Sequence, residues 1–103
     1  MTSKRRRLNT DEIKAALKTL PGWSVSKKKL HRDYAFGDFV RAWGFMSAAA
    51  LVIQQMDHHP EWCNVYDRLA IDLVTHDLKG ISTWDVELAR KLEALATPWQ
   101  KAR

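Results

Sequence analysis

Three histidines and an aspartate hold most of the chemical potential of this sequence. His58 and His59 stand side by side in DHHPEW, His76 follows in VTHD, and Asp85 lies beyond in STWD. Imidazole titrates near neutrality, so a group of histidines can hold one protonated and one neutral ring at the same pH; one donates a proton while another accepts. Such a set suits acid-base elimination of water. Three imidazoles plus water would also make a zinc site, but neighbouring residues of an extended segment point to opposite faces and spacings such as HExxH are absent. We expect no metal. The plainer alternative leaves His59 and His76 on a strand surface and makes His58 a cap of the preceding helix.

The neighbours of these residues have two readings each. Ser82-x-x-Asp85 has the spacing of a capping box, so Asp85 serves a helix start before it serves any histidine, and orienting an imidazole would be an added role. Trp62 is either core or a flat wall for a planar heterocycle. Cys63 has no basic neighbour in sequence and reads as a small apolar residue; His31, remote from the group, reads as an ordinary strand position.

The elements that must position these residues follow from periodicity. Asn9 or Thr10 can cap a first helix with Ile13, Ala16, Leu17 and Leu20 on one face, ended by Pro21 and Gly22. Trp23 to Val25 and Leu30 to Phe36 form a hairpin, because Leu30, Arg32, Tyr34 and Phe36 alternate with His31, Asp33 and Ala35. A central helix follows from Gly37 and Asp38, with Phe39, Ala42, Trp43, Met46, Ala49, Ala50, Ile53 and Met56 as its stripe. Phe45, Ala48 and Val52 widen that stripe, which predicts contact with another subunit. Pro60 stops the helix near Asp57 or His58. A second hairpin, Trp62 to Tyr66 and Leu69 to His76, turns at Asp67 and Arg68; in that register His59 faces His76, with Cβ atoms about 4.5 to 5.5 Å apart. Ser82 starts a last helix that buries Val86, Leu88, Ala89, Leu92 and Leu95 before Pro98. The order αββαββα predicts an α+β domain over residues 10–98, a four-stranded antiparallel sheet with helices packed on one face.

Composition limits the function classes. The chain has 103 residues, 46% hydrophobic and 28% charged, which allows one packed domain and is far from the signature of disorder. Lys4, Arg5, Arg6 and Arg7 account for nearly all of the net charge of +5, so residues 1–9 read as a solvated basic tail and no direct nucleic-acid binding is expected. One cysteine forms no internal disulfide, no apolar stretch reaches the about 20 residues of a membrane span, and no signal peptide follows the basic start. A cytoplasmic protein with no membrane contact is expected.

With these residues assembled, the segment DHHPEWCNVYDRLAIDLVTHD and the later Asp85 resemble the pterin-4a-carbinolamine dehydratases, whose animal member doubles as a dimerisation cofactor for a homeodomain transcription factor. The resemblance spans Asp11 to about Leu95: His58, His59, Pro60, Tyr66, His76 and Asp85 all fall at the family spacings. It implies dehydration of 4a-hydroxytetrahydropterin to quinonoid dihydropterin, the step that lets an aromatic amino acid hydroxylase reuse its pterin. It implies no cofactor, a pterin substrate, a pocket shaped by His58 to Pro60 and by Thr75, His76, Asp77 and Leu78, and a dimer or tetramer formed through the central helix and sheet. Within that reading His58 and His76 transfer protons, His59 positions the substrate and Asp85 supports orientation. Gln54 departs from the family, which usually has a charged residue there; an amide keeps a hydrogen bond but exchanges no proton.

Overall fold

The structure, a computed structural model, describes residues 4–100. Its elements run α1 (Thr10–Leu17), β1 (Trp23–Ser26), β2 (Lys29–Ala35), α2 (Phe39–Met56), β3 (Glu61–Val65), β4 (Arg68–Leu73), a 3₁₀ turn (His76–Leu78) and α3 (Thr83–Ala96), with a final 3₁₀ turn at Thr97–Trp99. The expected α+β order and four-stranded antiparallel sheet are present, with spatial order β1-β2-β4-β3.

Each helix starts at a side chain able to satisfy its free amides. Asn9 Oδ1 accepts from Glu12 N while Glu12 Oε1 accepts from Asn9 N, closing a capping box on α1. Asp38 caps α2 through Arg41 N, and Ser82 caps α3. At its far end α2 stops at Asp57, which takes the left-handed conformation (φ 51°) that releases the chain into His58 and Pro60.

The period-two pattern of β2 and β4 decides which face the helices cover. Leu30, Tyr34, Leu69, Ile71 and Leu73 are buried, whereas His31, Asp33, Ala70 and Asp72 lie on the open face. Under the covered face, the ring centroids of Tyr34, Phe36 and Phe45 lie 5.1–5.4 Å apart, Phe36 stacked against both others and Tyr34 tilted against Phe45. The central helix differs from expectation here. Its buried stripe is Ala42, Phe45, Ala49, Ile53 and Met56, while Phe39, Val40, Trp43 and Leu51 face outward. Apolar residues surround this helix, so periodicity alone allowed two stripes, and packing against the aromatic core chose the one containing Phe45.

The second hairpin also corrects the sequence reading. Val65 pairs with Arg68 and Glu61 with Asp72, so the turn is Tyr66-Asp67 and not Asp67-Arg68. The expected and observed registers keep the same side chains inward, so burial does not choose between them. Asn64 does: its amide donates to Tyr66 O and Arg68 O at 3.1 and 2.9 Å, holding Tyr66 at φ 55°. Pairing ends at Glu61 and Asp72, short of both His59 and His76, and the two histidines do not face each other across a ladder.

From Lys4 onward the basic tail is a further correction; residues 1–3 lie outside the described residues. Arg7 forms a bridge with Ser82, Leu8 N donates to Ile81 O at 2.9 Å and Thr83 N donates to Arg6 O at 2.9 Å, so the chain from Lys4 is bound to the loop before α3. Unpaired backbone groups of that loop supply a reason for docking that side-chain composition does not reveal.

Glu93 of α3 ties β1 and β2 to the helix layer. It accepts from Tyr34 Oη (2.6 Å), Trp23 Nε1 (2.9 Å) and Arg32 Nε (3.2 Å). Burial opposes its ionisation, but hydrogen bonds from Tyr34, Arg32 and Trp23 outweigh burial and hold the carboxyl below its usual range. A depressed folded value gives stability that is present above the unfolded pKa and lost as pH falls through the folded one. Glu93→Gln is therefore expected to lower stability at neutral pH by about 1–3 kcal/mol and to flatten the acid limb of a urea-denaturation series between pH 7 and 3.

Candidate functional site

The site is built where three chain ends meet: the end of α2, the loop after β4 and the start of α3. Left-handed Asp57 turns His58 inward, and its ring is buried. There His58 Nε2–H donates to Asp85 Oδ1 at 2.6 Å. The other carboxylate oxygen accepts from Thr75 Oγ1 at 2.9 Å and from Ser82 N at 2.8 Å, and the hydroxyls of Thr75 and Ser82 lie 2.6 Å apart. Asp85, Ser82 and Thr75 are all buried. The capping acid and the orienter of a histidine are thus the same residue, one oxygen for each task.

A carboxylate only accepts, so this bond places the proton of a neutral His58 on Nε2 and leaves Nδ1 as the lone-pair nitrogen. Trp84 meets the His58 ring edge-on at 5.9 Å between centroids, which restricts its rotation. His58 is therefore no simple helix cap.

His76 stands in a different environment. Its side chain is 74% exposed, and Nε2–H donates to Glu61 Oε2 at 2.9 Å. Glu61 also accepts from Lys29, and these two partners, Lys29 first, hold its carboxyl below the ordinary range. The 3₁₀ turn, and not a strand, carries His76: Thr75 N donates to Gly80 O, and Lys79 closes the turn in the left-handed conformation (φ 58°). Asp77 is exposed and Leu78 half-buried on the same turn.

His59 points elsewhere. It is 58% exposed, its Nδ1 lies 4.0 Å from Asp57 Oδ1, and it lines a shallow depression of about 220 Å³ with Ala50, Ile53, Gln54, Pro60 and Trp62. Trp62 is half-buried there, at once against the core and facing the depression. The structure thus joins His58, Thr75 and Asp85 in one network. It gathers His59, Pro60, Trp62 and Gln54 in a second group, and sets His76 on Glu61 in a third. A larger cleft of about 650 Å³, between α1 and α3, contains no histidine.

Two site partners escaped the sequence reading. Glu61 was hidden by the wrong hairpin register, although it sits inside DHHPEW; Trp84 was hidden because a tryptophan in the first turn of an amphipathic helix reads as core. His31 is also more than a strand position: its ring nitrogens lie 2.8 Å from Asp72 Oδ1 and 2.9 Å from Asp33 Oδ2, and Asp72 first, then Asp33, raise its pKa. It belongs to the open sheet face, as does Cys63, which is exposed opposite Ala70. Among the described residues no group of three or more His, Cys, Asp or Glu side chains is arranged to hold a metal ion, and no helix is long and apolar enough to cross a membrane.

The family model described as pterin 4 alpha carbinolamine dehydratase matches residues 6–95. A protein of Solibacter usitatus, provisionally named a pterin-4-alpha-carbinolamine dehydratase, is 54% identical over 93% of this chain and 98% of its own. A similarly named protein of Synechococcus is 51% identical over 75% of this chain and 83% of its own. Among solved structures, one titled as a transcriptional coactivator/pterin dehydratase from Brucella melitensis has a TM-score of 0.85 at 41% identity, covering 88% of this chain and 99% of its own. A pterin dehydratase-like protein described as a RuBisCO assembly factor shares the fold at a TM-score of 0.63 and 23% identity, over 73% of this chain and 89% of its own.

The His58 geometry is open to direct measurement. Long-range ¹H–¹⁵N spectra of the neutral protein are expected to show His58 as the Nε2–H tautomer, and Asp85→Ala to release it into the usual mixture; an Nδ1–H tautomer in the wild type would contradict the assignment.

Proposed function

Because the chain belongs to the pterin 4 alpha carbinolamine dehydratase family, we propose that it removes water from a 4a-hydroxytetrahydropterin to give the quinonoid dihydropterin. The observation that carries this reading is His58 held on buried Asp85, a fixed imidazole with one nitrogen committed and the other left to accept a proton. In the reaction the C4a–O bond breaks and its oxygen leaves as water after receiving a proton. N5–H gives up its proton, and the N–H bonding pair becomes the new C4a=N5 bond. No electrons enter or leave, so two proton transfers suffice.

The two environments suit the two transfers. His58 takes the N5 proton on Nδ1, since Nε2 is already donating to Asp85. His76 delivers the other proton to the leaving hydroxyl; exposed on its turn, it regains a proton from water between turnovers. His59 and Pro60 orient the ring, Trp62 offers a flat wall, and the turn from Thr75 through Asp77 to Leu78 closes the opposite side. Gln54 at the edge of the depression contributes a neutral hydrogen bond where a charged side chain is common in the family. In the cytoplasm this reaction would return the pterin for reuse by an aromatic amino acid hydroxylase.

A second reading, a non-catalytic binding or assembly module, draws on a different surface. Phe39, Val40, Trp43 and Leu51 expose a contiguous side of α2, with Val40 at 76% and Leu51 at 74%. We assign that face to a second copy of the chain, giving a homodimer or homotetramer that either function could use. Stopped-flow dehydration of a 4a-carbinolamine separates the readings. His76→Ala is expected to slow the enzyme by about 100-fold or more without changing its mass in solution. Trp43→Glu is expected to reduce the mass seen by light scattering. Equal dehydration rates for wild type and His76→Ala would sink the enzymatic reading, and an unchanged mass for Trp43→Glu would sink the assignment of α2.

A further inference from the structure

The docked N-terminal strap reaches the elements that carry the proton-transfer pair. Its backbone is anchored at several points: Thr83 N donates to Arg6 O, Leu8 N donates to Ile81 O, and Thr83 Oγ1 donates to Lys4 O at 2.8 Å. Between the Lys4 and Arg6 anchors, Arg5 projects onto the 3₁₀ turn. Its Nη1 and Nη2 donate to Asp77 Oδ1 and Oδ2 at 2.9 and 2.6 Å, a two-pronged bond. The same guanidinium lies 5.4 Å from the ring centroid of Trp84, whose indole meets the His58 ring edge-on.

We infer that Arg5 is a positioning residue of the dehydration site, fixing the turn that carries His76 relative to the Trp84–His58 pair. The inference rests on the dehydratase reading. An exposed ion pair ordinarily contributes little, because two flexible side chains must be ordered to form it. Here the strap has already ordered the base of Arg5, and the planar fork sets an orientation as well as a distance. Lysine in its place would keep the charge but lose the fork and much of the stacking. Asp77 lies inside the turn, whose N-cap residue Thr75 makes no side-chain cap bond, so the Arg5 bond is a second tie, beside His76–Glu61, between the exposed side of this turn and the rest of the domain.

The test uses full-length wild type, Arg5→Lys, Arg5→Ala, Asp77→Ala and the Arg5→Ala/Asp77→Ala double variant. In the carbinolamine assay Arg5→Ala is expected to lower kcat by roughly five- to twenty-fold with KM within about two-fold, as for a misplaced acid whose substrate still binds. Arg5→Lys should recover only part of that loss, the double variant should be no slower than Asp77→Ala alone, and the Tm of Arg5→Ala should stay near wild type. Kinetics of Arg5→Ala within two-fold of wild type, additive single losses, or a rate loss matched by a loss of folded protein would each overturn the inference. Amide hydrogen exchange of residues 77–80 gives an answer that does not depend on turnover: it should quicken by about ten-fold or more in Arg5→Ala. If the wild type itself fails to dehydrate the substrate, the functional reading falls, and unchanged exchange then removes the positioning role as well.

Discussion

A carboxylate with no solvent exposure must have its oxygens matched by donors, because burying an unpaired charge costs several kcal/mol. Asp85 is that group, and its donors come from three separate stretches of chain: His58 after α2, Thr75 after β4 and the Ser82 amide at the start of α3. Meeting its needs fixes where α3 begins, how the loop after β4 closes and which way His58 turns. Thr75 and Ser82 also share a hydrogen bond, so the network is closed on itself and tolerates little displacement. The rigidity of the site follows from a folding requirement.

Around that dry centre the remaining candidates are wet. His76 and Glu61 lie on the surface beside Lys29, and His59 lies at the rim of a shallow depression with Trp62. A base that must be held in one orientation gains from burial and a fixed partner, whereas an acid that must be reloaded each turnover gains from contact with water. The division of proton transfer proposed for His58 and His76 corresponds to that difference. Trp84 and Arg5 connect the two sides, since one packs against His58 and the other bonds the residue after His76.

Much of this was legible in the residues themselves. Alternation in Leu30 to Phe36 and in Leu69 to Leu73, the Asn9 and Ser82 capping signals, and Pro60 after the histidine pair led to the α+β order and to a site at a helix-to-strand junction. What failed had physical reasons. Two registers of the second hairpin bury the same side chains, and the observed one carries the hydrogen bonds of Asn64 to the turn, so the facing of His59 and His76 was lost and the Glu61 partnership missed. A helix apolar on nearly every side put Phe39 and Trp43 in the expected stripe, where the structure buries Phe45 instead. The run of positive charge is exposed, as expected, but it is not a free tail, and the sequence hides this because the groups that bind its backbone lie far along the chain, as does Asp77, 72 positions from Arg5.

The central claim is that Asp85, through His58, serves proton transfer as well as the fold. The most direct measurement is the single-turnover dehydration rate of Asp85→Asn, in protein whose circular dichroism and size match wild type. Asparagine keeps the volume and can still accept a hydrogen bond, but its amide places a second donor in a network that needs acceptors. A rate at least about ten-fold below wild type is predicted, from loss of the fixed His58 tautomer. A folded Asp85→Asn protein that dehydrates the carbinolamine at the wild-type rate would contradict the claim.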